Sequence, residues 1–145
     1  MNQKIIQLLS YLRNNSREKL TTISKKTNIP ISTLFDMLNE MQGTIIKNNT
    51  ILLNYEILGY HTRAHVFLKV SNNDKEKLKE HLICNNNVNS IYKINNGWDF
   101  IVETVHKSIK ELDQFLENVN NNHAIEKKEI HYLIEDVKRE GFIVD

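Results

Sequence analysis

The sequence predicts an α+β chain: an N-terminal winged helix-turn-helix followed by a ferredoxin-like βαββαβ domain. Three observations carry this expectation. Apolar residues in the first 41 positions recur at helical spacing. From residue 61 the spacing changes to the alternation of half-buried strands, interrupted by two helical stretches. Between the second and third strand-like runs lies Asn96-Gly97, the strongest short-range hairpin signal in the chain.

Taken in order, Ile5, Leu8, Leu9 and Leu12 fall at i, i+3, i+4 and i+7, the stripe of an amphipathic helix that Asn14-Asn15-Ser16 ends. A second helix is expected over about 22–27, with Thr21 as its cap. Asn28 closes it, since Asn tolerates the left-handed conformation of a helix end. Ile29-Pro30 opens a third helix, because Pro suits a first helical turn. Its inward stripe is Ile31, Leu34, Leu38 and Met41, which puts Ser32, Thr33, Asp36, Met37 and Glu40 outward, and Gly43 stops it. Two β-prone runs around Asn48-Asn49 predict a tight hairpin over 45–53, the wing.

In the second half, Ala64, Val66, Leu68 and Val70 alternate as one strand. Residues 74–84 read as a helix with Leu78, Leu82 and Ile83 inward. Residues 88–94 and 98–105 form the hairpin around Asn96-Gly97. Ser108 caps a helix that turns Ile109, Leu112, Phe115, Leu116 and Val119 inward, and 125–134 is the last strand. The expected domains are therefore 1–53, a linker 54–62, and 63–136, with a tail 137–145 that the pattern leaves unassigned. Two helices cover one face of a four-stranded sheet. The other face, expected to carry Phe67, Ile91, Ile101 and Val105, needs a partner, by default a second copy.

Composition narrows the function classes. No run approaches the roughly 20 apolar residues of a membrane span, and the opening MNQKIIQLLSYLRNN has too short an apolar core for a secretory leader. One cysteine, Cys84, cannot form an internal disulfide and is expected to be a buried or half-buried structural thiol, so a reducing, cytoplasmic setting is expected. Net charge is +4 over residues 1–50 and −3 over 51–145, which makes the N-terminal part the end for a polyanion. The six histidines are too dispersed for a zinc site, and no phosphate-binding glycine loop, dinucleotide fingerprint or serine nucleophile elbow occurs. No cofactor and no metal are expected.

The stretch Ile23-Ser24-Lys25-Lys26-Thr27-Asn28-Ile29-Pro30-Ile31-Ser32-Thr33-Leu34 resembles the helix-turn-helix core of the Lrp/AsnC (feast/famine) regulators. Leu58-Gly59-Tyr60 resembles that family's signature before its second domain, and Trp98-Asp99 after Asn96-Gly97 its glycine-containing turn. The resemblance implies that the first domain binds double-stranded DNA and that the sheet makes a homodimer, which can assemble further. It also implies that an amino-acid effector binds near the turn between the second and third strands.

Departures from the pattern are visible too. The first helix starts close to the N-terminus, without the few acidic and polar residues that usually precede it. Asn28 and Asn96 stand where the family usually has Gly, and Met37-Leu38-Asn39-Glu40-Met41 lacks its usual Arg or Lys.

The candidate DNA-binding residues divide by chemistry. Ser32 and Thr33 can bond phosphates or bases, and Asp36 can accept from cytosine N4. Arg17, Lys19, Lys25, Lys26 and Lys47 can meet the phosphate backbone. Asn96, Gly97, Trp98 and Asp99 are the candidate ligand residues, with a plain type I′ turn as the alternative. Two functional readings stay open: a dimeric DNA-binding transcription regulator, or an interaction or ligand-sensing module whose helix-turn-helix no longer binds DNA. An enzyme is not expected. Tetrapyrrole decarboxylases of similar layout cluster His and Arg at a pocket, whereas the four Arg here (13, 17, 63 and 139) are scattered in sequence.

Overall fold

The computed structural model describes residues 2–142. The chain forms two compact units, one made of residues 1–52 and 137–145 and the other of 53–136.

The first unit holds three helices, α1 (Gln3–Asn14), α2 (Leu20–Thr27) and α3 (Ile31–Met41). The Asn2 side chain accepts the Lys4 N–H and so satisfies one orphan donor at the start of α1. α2 ends because Asn28 adopts φ 58°, donating its N–H to the Ser24 carbonyl at 2.9 Å. Pro30 then stands at the cap position of α3. Leu8, Ile23, Ile29, Leu34 and Met41 form the closed core of this unit. The segment 137–142 returns to the same unit, where Arg13 Nη2 meets Glu140 Oε2 at 2.7 Å. An open groove there is lined by Leu9, Leu12, Ile45 and Ile51 from the early chain and by Arg139, Glu140 and Phe142 from the late chain.

Several local expectations need correction. Thr21 does not cap α2: the helix begins two residues earlier, at Leu20, with Lys19 at the cap position and no side-chain cap bond. The wing hairpin over 45–53 is not formed. Gly43, at φ 75°, and Ile46 close a tight turn instead, with one isolated parallel bridge between Gln42 and Ile46, and residues 47–54 have no regular structure. A two-residue hairpin needs φ > 0 at the first central residue (type II′) or at both (type I′), and neither Asn48 nor Asn49 adopts it. Met37 packs on the core rather than outward, while Ile31 lies exposed.

The second unit is a four-stranded antiparallel sheet of order β2-β3-β1-β4, built from β1 (Thr62–Val70), β2 (Val88–Lys93), β3 (Phe100–His106) and β4 (Ile125–Tyr132). Helices α4 (Lys75–Ile83) and α5 (Ile109–Asn122) pack through Leu78, Leu82, Leu112, Phe115, Leu116 and Val119 onto Ala64, Val66, Leu68, Phe100 and Val102. The β-α-β-β-α-β order with this strand arrangement is ferredoxin-like. Ser108 caps α5 as expected, its Oγ accepting the Glu111 N–H at 3.3 Å. Asp74 joins the start of α4 to β4 by accepting the Ala124 N–H at 2.7 Å, which holds its carboxyl below the usual range. His81 Nδ1 and His123 Nε2, 2.7 Å apart, link the ends of α4 and α5.

Alternation leaves Arg63, His65, Phe67 and Lys69 of β1 on the sheet face away from the helices, with Tyr92, Ile101, Glu103 and Val105 from the neighbouring strands. Ile91 is not there. It pairs with Val102 and packs on the helix-covered side, because an irregularity between Val88 and Ser90 resets the phase of β2. Ile83 and Ile109, expected inward, are exposed at their helix ends, and Cys84 is exposed rather than buried.

Candidate nucleic-acid interface

The turn between α2 and α3 sets the geometry of the first unit. Asn28 in the left-handed region reverses the chain, Ile29 plugs the core behind it, and Pro30 starts α3 without needing an N–H partner. With Leu34, Leu38 and Met41 inward, a step of about 100° per residue directs Ser32, Asp36 and Asn39 toward the centre of the outward arc, with Glu40 and Phe35 on its flanks. All of these are exposed, and Thr33, at the margin of that arc, is half-buried.

Among the predicted cations, Arg17 lies in the turn after α1, where its N–H donates to Asn15 Oδ1 at 3.1 Å. Lys19 precedes α2, Lys25 and Lys26 occupy its last turn, and Lys47 follows the bridge after α3. All five are exposed. Lys26 lies over the Tyr11 ring, 5.4 Å from its centroid, so α1 orients that ammonium. α3 itself carries no basic residue.

Phe35 and Asn39 were not anticipated. The signal was present in the helical wheel, but counting Ile31 as inward turned the expected face toward Met37. The closed core of Leu34, Leu38 and Met41 sets the face differently.

In the second unit, the four candidate ligand residues occupy one turn but divide in role. Asn96 (φ 62°) and Gly97 (φ 89°) both take the positive φ that a type I′ turn needs. Trp98 packs on Phe67, with centroids 5.6 Å apart, and Lys127 Nζ lies 4.5 Å from its centroid. Asp99 is tied down: one oxygen accepts the Val70 N–H at 2.8 Å and the other pairs with Lys75 Nζ at 3.0 Å. Burial opposes its charge, but the Val70 N–H and the Lys75 ammonium outweigh burial and hold the carboxyl below the ordinary range. The exposed peptide groups of Asn96 and Gly97 are what the turn leaves open.

Near the linker, Arg63 pairs with Glu103 at 2.9 Å and with Asp136 at 3.1 Å, its guanidinium 5.2 Å from the Tyr55 ring centroid. Among the described residues, no three His, Cys, Asp or Glu side chains are placed to hold a metal ion, and no helix is long and apolar enough to cross a membrane.

Residues 63–142 match the Lrp/AsnC ligand binding domain. The chain is 26% identical over 135 residues to an uncharacterized HTH-type transcriptional regulator of Pyrococcus furiosus, covering 92% of this chain and 91% of that one. To the HTH-type transcriptional regulator FL11 of the same organism it is 26% identical over 127 residues, 87% of this chain and 82% of that one. Among solved structures, the transcriptional regulator NMB0573 of Neisseria meningitidis, in complex with L-Met, superposes with a TM-score of 0.88 at 14% identity, over 97% of this chain and 94% of that one. E. coli AsnC superposes with a TM-score of 0.87 at 18% identity, over 98% and 97%. Fold and relatives together define the class, a helix-turn-helix transcriptional regulator with a ferredoxin-like second domain. The chain belongs to the Lrp/AsnC family.

Proposed function

We propose that this protein is a cytoplasmic homodimer that binds double-stranded DNA sequence-specifically and regulates transcription, its affinity modulated by an amino acid or similar small ligand. The observation that carries the reading is the exposed face of α3 behind the Asn28 turn. It is supported by exposed cations on neighbouring segments: Arg17, Lys19, Lys25, Lys26 and Lys47 contact phosphates, while Ser32, Thr33 and Asp36 on α3 lie toward the bases. The dimer forms through the open sheet face around Phe67, Tyr92 and Ile101. The effector sits at the turn of Asn96, Gly97, Trp98 and Asp99, where Asp99 shapes the turn and the exposed peptide groups meet the ligand. The bound L-Met of the Neisseria regulator supports an amino acid as the effector class.

The test is fluorescence anisotropy on genomic fragments, the gene's own promoter included, across a salt series. With four or five phosphate contacts, log K falls against log salt with a slope of about −4. Reversing Lys25 and Lys26 to Glu abolishes binding. Absence of binding to every fragment at low salt would sink the reading. That outcome favours the second one, a sensing module without DNA, which Asp36 and Glu40 on the exposed face of a helix lacking cations motivate.

A further inference from the structure

We propose that α3 chooses its site through thymine methyl groups, with Phe35 and Ile31 as the apolar readers and Asn39 beside them taking adenine. This rests on the DNA-binding reading and says what chemistry the helix recognises.

Phe35 is 54% exposed and Ile31 47% exposed, one helical turn apart on the same side of α3. The core of the first unit closes without them, through Leu8, Ile23, Ile29, Leu34 and Met41. Phe35 thus lies half in water on the flank of the face that a helix-turn-helix offers to a major groove, with Ile31 beside it at the edge between that face and the core.

The rest of the face narrows the choice of base. α3 has no Arg or Lys, so the bidentate contact to guanine O6 and N7 is missing from this helix. Asp36 and Glu40 are acceptors and cannot donate to guanine. Asn39, exposed between Phe35 and Asp36 on the wheel, carries the donor and acceptor pair that matches adenine N6 and N7. In the major groove the only apolar group a base presents is the thymine C5-methyl. Two apolar readers, one adenine-matching amide and no guanine donor from Arg or Lys favour A·T pairs opposite Phe35 and Asn39, while Asp36 remains able to accept from a cytosine amino group.

The experiment begins by selecting a high-affinity duplex from a randomised pool with the full chain. Each thymine is then replaced by deoxyuridine, which removes the methyl and nothing else. At one or more positions in each half-site, Kd rises about fourfold, the equivalent of one methyl leaving an apolar contact. Phe35→Ala weakens the selected duplex about tenfold, no longer distinguishes thymine from uracil, and binds an unrelated duplex as the wild type does.

Tight binding with every uracil tolerated overturns the methyl reading and leaves the regulator reading standing. Failure to select any duplex overturns both. A Phe35→Ala chain with unchanged DNA binding but an altered sedimentation coefficient makes Phe35 an assembly contact, which also overturns the proposal.

Discussion

At the scale of single residues, the polar groups inside the second unit set its response to pH. His106 is 1% exposed beside the Phe115 ring, and its Nε2 has no hydrogen-bond partner. Burial pushes its imidazole down, against a smaller upward pull from Glu111. The unfolded chain therefore takes up a proton near the ordinary pKa of about 6.5, and the folded chain takes it up only at lower pH. The stability this group contributes is complete above that pH and declines as pH falls below it. Urea midpoints should drop between pH 7.5 and 5.5, and His106→Leu should flatten that slope while leaving the pH 7.5 midpoint within about 1 kcal/mol, since an apolar group replaces an unpaired one. Parallel slopes for the two proteins would contradict this. Asp99 acts in a lower window: its depressed carboxyl contributes above the unfolded value of about 3.9 and is lost as pH falls through the folded one. Asp99→Ala strands the Val70 N–H and should cost about 1–3 kcal/mol in chemical denaturation, whereas Asp99→Asn keeps an acceptor and should cost less. The resemblance of the Asn96-Gly97-Trp98-Asp99 turn to the family's glycine-containing turn is what marked Asp99 as a ligand candidate. Its partners, Val70 and Lys75, lie 29 and 24 positions away, beyond what local pattern carries.

At the scale of elements, left-handed backbone decides two reversals. Asn28 at φ 58° should accept Gly with little loss, while Asn28→Ile should lower the thermal midpoint, at a cost of about 1–2 kcal/mol. Both Asn28 and Asn96 were legible because side-chain chemistry at a turn is local. Elements with strong apolar period were legible for the same reason: β1, α5 and the β-α-β-β-α-β succession of elements along the chain follow from alternation and spacing. The failures are of two kinds. The expected wing would have been a two-residue hairpin without a glycine, and a lone ribbon of that length has too few neighbours to force Asn48 and Asn49 into positive φ. Ile91 changed faces because a one-residue irregularity in β2 inverts every later side chain, which the sequence does not announce. At helix ends, Ile83, Ile109 and Ile31 satisfy the period yet overhang the core.

At the scale of the whole molecule, the open sheet face is where a second copy is expected. Ile101→Asp places a charge in the middle of that face, paired with Phe67 and Tyr92 across the neighbouring strands. Sedimentation should then report a monomer where the wild type gives a dimer, with circular dichroism unchanged because the helix-covered core is untouched. A variant that still sediments as a dimer would move the interface elsewhere.

The chain's late return carries a practical consequence for anyone dividing this protein. Because 137–142 joins the unit begun by residues 1–52, that unit is not one continuous piece of polypeptide. An excised 1–52 peptide keeps α1, α2 and α3 but leaves Leu12, Ile45 and Ile51 lining a trough from which Phe142 and Glu140 have been removed. It should be stickier and less soluble than the same residues in the intact polypeptide. A failure of such a fragment to bind DNA would therefore not count against the uncut protein.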